Sequence, residues 1–338
     1  MTEPALTGTE IVQVGCFTSP PGSRAVGIHR FTLDGTALSP VPTPDPSYLL
    51  LHPTLPVLYA LSERTPTSVS AFAVDAESGL SLINTIATGG DGGCHLGYDP
   101  VRQLVVVAHY GVGSVSVCSV NDDGSLDRTV DSIAFTGSGP DPDRQQASHA
   151  HMAVPDGAEW LIADLGTDQI HRLTLDDAGT IIGTAEISTP PGVGPRHFVI
   201  IGDYLVLACE LTGELWLARR DGDDWRGVAK VGSTATTTDE PVYPSAIVQA
   251  GDQIIVANRG PDTFATFALD PDDDTLTMID ETGTGGEWPR DLTWHHDQVW
   301  VANQNSESVT VFRRTEQSWT QTQQIDCPHP GCIVFTRH

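Results

Sequence analysis

Seven copies of one pattern run the length of the 338-residue chain. Each is an apolar strand ending on a small residue, then a polar turn, then a strand of alternating apolar residues. The small residues fall at Gly15, Ala60, Ala108, Ala163, Ala208, Ala257 and Ala302, 45 to 55 residues apart. A further strand opens each copy, at Pro46-Ser47, Gly93-Cys94, Ser148-His149, Pro195-Arg196, Pro244-Ser245 and Pro289-Arg290. A more polar fourth strand and a Gly-rich link close it. That period is the size of a four-stranded propeller blade, a unit that cannot bury both its faces without neighbours. The expected fold is therefore all-β: a seven-bladed β-propeller forming one domain over residues 1–338, with 1–9 as a flexible tail.

The ends complete the count. The N-terminal stretch from Glu10 supplies three strands of a blade, and Pro330–Arg337 reads as its missing inner strand. Closing one blade with both ends of the chain removes the open edges of a linear array. A pair of β-sandwiches would show neither the period nor the shared incomplete repeat.

Strands within a blade are antiparallel, so the start of each inner strand and the end of each second strand lie on one face of the disc. Residues there ring one channel mouth. At the inner-strand starts stand Ser47, Cys94-His95, Ser148-His149-Ala150-His151, Arg196-His197, Ser245, Arg290-Asp291 and Pro330. At the second-strand ends stand Glu63-Arg64, His109-Tyr110, Asp164, Cys209-Glu210, Asn258-Arg259 and Asn303-Gln304. His295 and His296 fall in a hairpin turn at the opposite rim and are expected to be solvated.

Charge gives these positions weight. The net charge is −27, from 44 acidic against 17 basic residues, and Lys230 is the one lysine. So acidic a surface argues against nucleic acid and anionic membranes as partners. No apolar run reaches the roughly 20 residues of a membrane helix. In a chain poor in cations, Arg196, Arg259 and Arg290 at one mouth would repel one another unless carboxylates such as Glu210, or an anionic ligand, neutralise them. Six cysteines lie scattered in apolar runs, and the N-terminus shows no export signal, so reduced, buried thiols in a cytoplasmic protein are expected. Cys327, His329 and Cys332 could hold zinc but lack a fourth ligand.

Ser148-His-Ala-His151, Pro155-Asp-Gly157, Ala163-Asp-Leu-Gly-Thr-Asp168, Gly194-Pro-Arg-His197, Glu210, Asn258-Arg-Gly260, Trp288-Pro-Arg290 and Ala302-Asn-Gln-Asn-Ser306 resemble motifs of the lactonase family of seven-bladed propellers. That family includes bacterial 6-phosphogluconolactonases and fungal carboxy-muconate lactonising enzymes. The resemblance spans the chain with blades in order. Gly15-Cys16-Phe17-Thr18 departs from the more usual Gly-Thr-Tyr-Thr opening. The resemblance implies hydrolysis of a sugar lactone, with an anionic substrate, by acid–base chemistry that needs no metal and no other cofactor. The family's histidine, two arginines and glutamate fall on His149 or His151, Arg196, Arg259 and Glu210. A histidine or Glu210 would take the proton from water, and an arginine would face the oxyanion. Arg290, His197, Asn258, Asn303 and Asp164 are the expected substrate contacts. The alternatives are a muconate-type lactonising lyase or isomerase using the same residues, and a propeller that only binds a ligand or protein. Monomer and dimer both fit the sequence.

Overall fold

The computed structural model describes residues 10–75, 79–315 and 318–337; the expected tail at 1–9 lies outside them. The described residues form 28 strands and no helix. The strands make seven four-stranded antiparallel sheets. Six are built from consecutive strands. The seventh pairs β1 (Glu10–Cys16), β2 (Gly27–Thr32) and β3 (Ala37–Pro42) with the last strand, β28 (Pro330–Arg337), in the order β28-β1-β2-β3. The ladder between β1 and β28 runs from Glu10 opposite Arg337 to Gly15 opposite Cys332 and, past a one-residue slip, Cys16 opposite Pro330.

Hydrophobic burial explains why seven sheets cohere. There are seven apolar clusters, and each spans one boundary between adjacent blades. Val12, Val14 and Phe31 of the closing blade pack on Trp300, Val309 and Val311 of the blade before it. Phe267 packs with Val206 and Leu217 across the next-but-one boundary, and Leu173 with Val106 and Val117 across another. Each sheet thus buries one face against the preceding blade and the other against the following one. The second strands are accordingly buried almost throughout, while the outer strands alternate and leave polar residues in water. Asp272 and Asp273, in an outer hairpin, are exposed.

The repeated small residue has a steric cause at the closing blade. A Cβ on Gly15 would lie 2.0 Å from the carbonyl oxygen of Pro46 in the neighbouring inner strand. The register corrects one expectation. Ser62, not Leu61, sits opposite Pro46, so the second blade carries Leu61 at the repeat position assigned to Ala60. Its hairpin from Ser62 to Ser68 is one residue longer than those from His109 to Ser114 or Asp164 to Gln169. All six cysteines are buried and unpaired, and the Cys16 and Cys327 sulfurs lie 3.6 Å apart. His329 turns to Glu307, 3.2 Å away, so the suggested zinc set does not assemble.

Overpacking a core commonly costs about 1–3 kcal/mol. Gly15→Ala, placed against a rigid backbone oxygen, should lie at or above the top of that range in urea unfolding, whereas Gly283→Ala, with open space around it, should stay within about 1 kcal/mol.

Candidate active site

Every inner strand is irregular at its mouth end. In all seven blades the pairing with the second strand slips, so one extra inner-strand residue stands unpaired. The skipped residues are Gly331, Ser47, Cys94, His151 and Arg290 in five blades, with Arg196-His197 and Ser245-Ala246 spanning the slip in the other two. A bulge of this kind re-aims a side chain out of the sheet. A second ring follows from the position just after six of the second strands, Phe17, Glu63, Tyr110, Leu165, Glu210 and Gln304, and from the equivalent Arg259, which ends its strand. The mouth is built from these two rings.

Glu210 is the centre of its charge. Arg144 donates to Glu210 Oε1 at 2.6 Å, while Arg196 Nε and Arg259 Nη2 lie 2.9 and 2.8 Å from Oε2. Glu210, Arg196 and Arg259 are 4%, 3% and 8% exposed and Arg144 is 36% exposed, so Arg144 closes the cluster from the solvent side. Burial pushes the Glu210 carboxyl up, but Arg259 and Arg196, with His151 and the Arg144 hydrogen bond, outweigh it and hold it well below the usual range. Burial and the nearby Arg259 pull Arg196 down to about 9. Arg259 is braced by the Tyr243 carbonyl at 3.2 Å and lies over the Trp288 ring at 5.3 Å. Arg290 faces Glu63 at 3.5 Å and covers the Phe17 ring at 4.7 Å. Four arginines thus meet two glutamates. Both buried guanidiniums approach Glu210 off the hydrogen-bond axis, leaving Nε and Nη1 of Arg196 and Nη2 of Arg259 without a well-aligned acceptor in the protein. Buried donors in that state favour an anionic or oxyanionic ligand.

The histidines divide by environment. His95, His197 and His151 form a buried run, with ring centroids 5.5 and 5.2 Å apart. Burial and then Arg196 push His95 down to about 3, and His151 and His197 well below the ordinary value. They are neutral and resist taking up a proton. His149 differs. It is half-buried and stacks on Tyr110 at 4.4 Å. Its Nδ1 lies 2.8 Å from the Tyr110 carbonyl oxygen. A carbonyl only accepts, so Nδ1 carries the hydrogen and Nε2 keeps its lone pair.

This arrangement can be set beside known proteins. The model of the family described as "Lactonase, 7-bladed beta-propeller" matches residues 11–335. The chain belongs to that family. A 6-phosphogluconolactonase of Bacillus subtilis (strain 168) is 29% identical over 95% of this chain and 97% of its own length. One from Formosa agariphila is 30% identical over 89% of this chain and 91% of its own. The solved structure of a periplasmic gluconolactonase from Pseudomonas aeruginosa superposes with a TM-score of 0.88 at 28% identity, covering 97% of this chain and 99% of that one.

Several side chains expected to touch substrate also bond to the framework, although Asn258 Oδ1 and Asn303 Oδ1 are left without a partner. Asp164 is fully buried and accepts from Ser148 Oγ, the His149 and Gly166 amides and His171 Nε2, at 2.6–2.9 Å. It orders the turn that carries His149. The Asn258 amide donates to the Ser233 carbonyl at 2.8 Å, and that of Asn303 to Thr310 Oγ1 at 2.9 Å; both residues are fully buried. Glu210, expected as one candidate base, is by its low proton affinity suited to gathering arginines. Arg144 was not among the sequence candidates. It sits on the link between the third and fourth blades, where the repeat interval stretches to 55 residues. The Asp141 carboxylate accepts from the Arg144 amide at 3.0 Å, and Arg144 Nη2 also reaches the Tyr110 hydroxyl at 3.3 Å. That long interval, in a chain short of cations, was the available signal.

The buried neutral histidines set a pH dependence. Between a folded value of about 3 for His95 or 4 for His109 and the unfolded value near 6.5, the unfolded chain binds protons that the folded chain does not. Stability is therefore full above about pH 6.5 and lost as pH falls, at about 1.4 kcal/mol per pH unit for each such group. Urea midpoints measured from pH 7 to 4 should fall accordingly, and His95→Gln should flatten the decline by roughly that slope.

Proposed function

We propose that this protein hydrolyses a sugar lactone bearing an anionic group, at the propeller mouth and without a metal ion. The observation that carries the reading is the pair of buried, incompletely bonded guanidiniums, Arg196 and Arg259, gathered on Glu210. The same cluster continues through Arg144 and Tyr110 to His149, whose Nδ1 hydrogen is directed to the Tyr110 carbonyl, leaving Nε2 to face a ligand. The relatives described as 6-phosphogluconolactonases and as a gluconolactonase support the substrate class.

In this mechanism His149 Nε2 takes a proton from water as the water oxygen bonds to the lactone carbonyl carbon. The carbonyl oxygen becomes an oxyanion that Arg196 and Arg259 stabilise, with donors already desolvated and held by Glu210. The intermediate collapses, the bond from the former carbonyl carbon to the ring oxygen breaks, and the ring oxygen receives the proton held by His149. The product is an open-chain hydroxy acid. Arg290 and Arg144, the more exposed arginines, hold the substrate's phosphate or carboxylate. Asp164 acts through the His149 turn as a positioning residue.

The reading is tested with glucono-δ-lactone and its 6-phosphate, after subtraction of spontaneous hydrolysis. His149→Ala should lower turnover by about 10²–10⁴-fold, and Arg259→Ala by about 10²–10³-fold. Arg290→Ala should raise KM more than it lowers kcat. His151→Asn should be milder than His149→Ala. A chelator should leave turnover unchanged; loss restored by a divalent ion would replace this mechanism with a metal-activated water. Turnover unchanged in both His149→Ala and Arg259→Ala would leave a propeller that binds and does not catalyse.

A further inference from the structure

The rim opposite the mouth carries a second cluster of functional side chains. Glu10 opens β1 in the closing blade. His295 ends β24 (Pro289–His295), the inner strand of the preceding blade, and His296 begins the turn after it. His295 Nε2 and His296 Nε2 lie 3.2 and 3.0 Å from one oxygen, Glu10 Oε2. The other oxygen, Oε1, is held by Arg337 at 2.6 Å. His296 is exposed, as the turn position suggested, but His295 is not simply solvated. His295 is 16% exposed and lies flat on Phe335, with ring centroids 3.7 Å apart at 4°. His296, at 54% exposed, completes the group from the surface. Among the described residues this is the one set of three histidine, cysteine or carboxylate groups close enough to share an ion.

We propose that Glu10, His295 and His296 form a site for a divalent transition-metal ion, Zn²⁺ in particular, that ties the closing blade to its neighbour. Three observations support it. Zinc takes two imidazole nitrogens and a carboxylate oxygen at about 2.0–2.2 Å, so tetrahedral ligands stand about 3.3 Å from one another; the two oxygen–nitrogen distances fall just short of that edge. Arg337 occupies the distal carboxylate oxygen and Phe335 fixes the His295 ring, the outer support that metal ligands require. The site also has an entry path. Glu10, His295 and Arg337 line a cavity of about 690 Å³ together with Leu51, Val57 and Phe335, in a protein whose charge of −27 concentrates cations near its surface. The ion would displace the imidazole protons now shared with Glu10 Oε2 and leave one coordination position for water.

The test is calorimetric titration of the untagged, metal-stripped full chain with ZnCl₂, paired with thermal unfolding. The expected result is one saturable Zn²⁺ per chain and a higher melting temperature in its presence. His296→Asn keeps a residue that tolerates the positive φ of 54° found there. Changing even an outer partner of a metal site commonly costs 10–100-fold in affinity, so this loss of a ligand should weaken binding at least about tenfold and abolish the thermal gain. Glu10→Gln should do the same, with Asp297→Asn as the neighbouring control that does not. Equal titrations of the wild type and His296→Asn, or no saturable uptake by the wild type, would overturn the proposal and leave a hydrogen-bonded clamp. Because these residues lie away from the mouth, the outcome is independent of the lactonase assays.

Discussion

The ladder between β1 and β28 is where the ring holds or fails. It joins segments more than 300 residues apart in sequence, and Gln13, fully buried within it, donates to Thr336 Oγ1 at 2.9 Å. Without that pairing the closing blade lacks its inner strand. The apolar clusters on both its sides, one around Val12, Val14 and Trp300 and the other around Ile28, Leu49 and Cys332, would then open to water. A blade has no core of its own; each core lies between blades, so stability here is a property of the closed circle. Such closure involves long-range contacts, whose loop entropy must be met before hydrophobic burial returns it.

The ring also fixes what chemistry is possible at its centre. Seven bulges at equivalent places turn seven sets of side chains out of the ladder toward one mouth, and cationic groups dominate there although the protein as a whole is strongly acidic. Burying Arg196 and Arg259 beside each other is costly. Glu210 offsets part of that cost, and the remainder favours a bound anion. A carboxylate so placed organises donors and gives up its own basicity. In the proposed mechanism the proton-accepting function falls to His149, whose Nδ1 hydrogen is directed to the Tyr110 carbonyl. The two kinds of histidine at the mouth differ in burial and in neighbours: His151 is encased beside Arg196, His197 and Cys94, while the half-buried His149 stacks on Tyr110.

The opposite rim follows another logic. Its turns are short and polar, as hairpin turns are, yet one of them lands against the seam. Glu10 and Arg337 are cross-strand partners in the closing ladder, and the histidines reach them from the adjacent blade. Seam and cluster therefore share residues, and anything that tightens the cluster tightens the ring.

Hydrophobic periodicity and spacing by themselves determined the all-β class, the seven units, the closure by the last strand, and the residues that start inner strands or end second strands at one mouth. These are legible because strand alternation and turn chemistry are local, and because antiparallel connection fixes which strand ends share a face. One longer hairpin displaced the repeat from Ala60 to Leu61, and the sequence hid it because Val57–Ser62 is buried on both faces and carries no alternation to mark its register. The tertiary structure alone decided the rest: that Arg144 comes in from a link, that Asp164, Asn258 and Asn303 bond to the framework, that Glu210 holds three arginines, that His151 is buried beside Arg196 while the Tyr110 carbonyl takes the Nδ1 hydrogen of His149, and that Glu10 meets His295 and His296 across the seam. The physical reason is that proton affinity and hydrogen-bond partnership depend on burial and on distances through space, and neither is encoded in the neighbours along the chain.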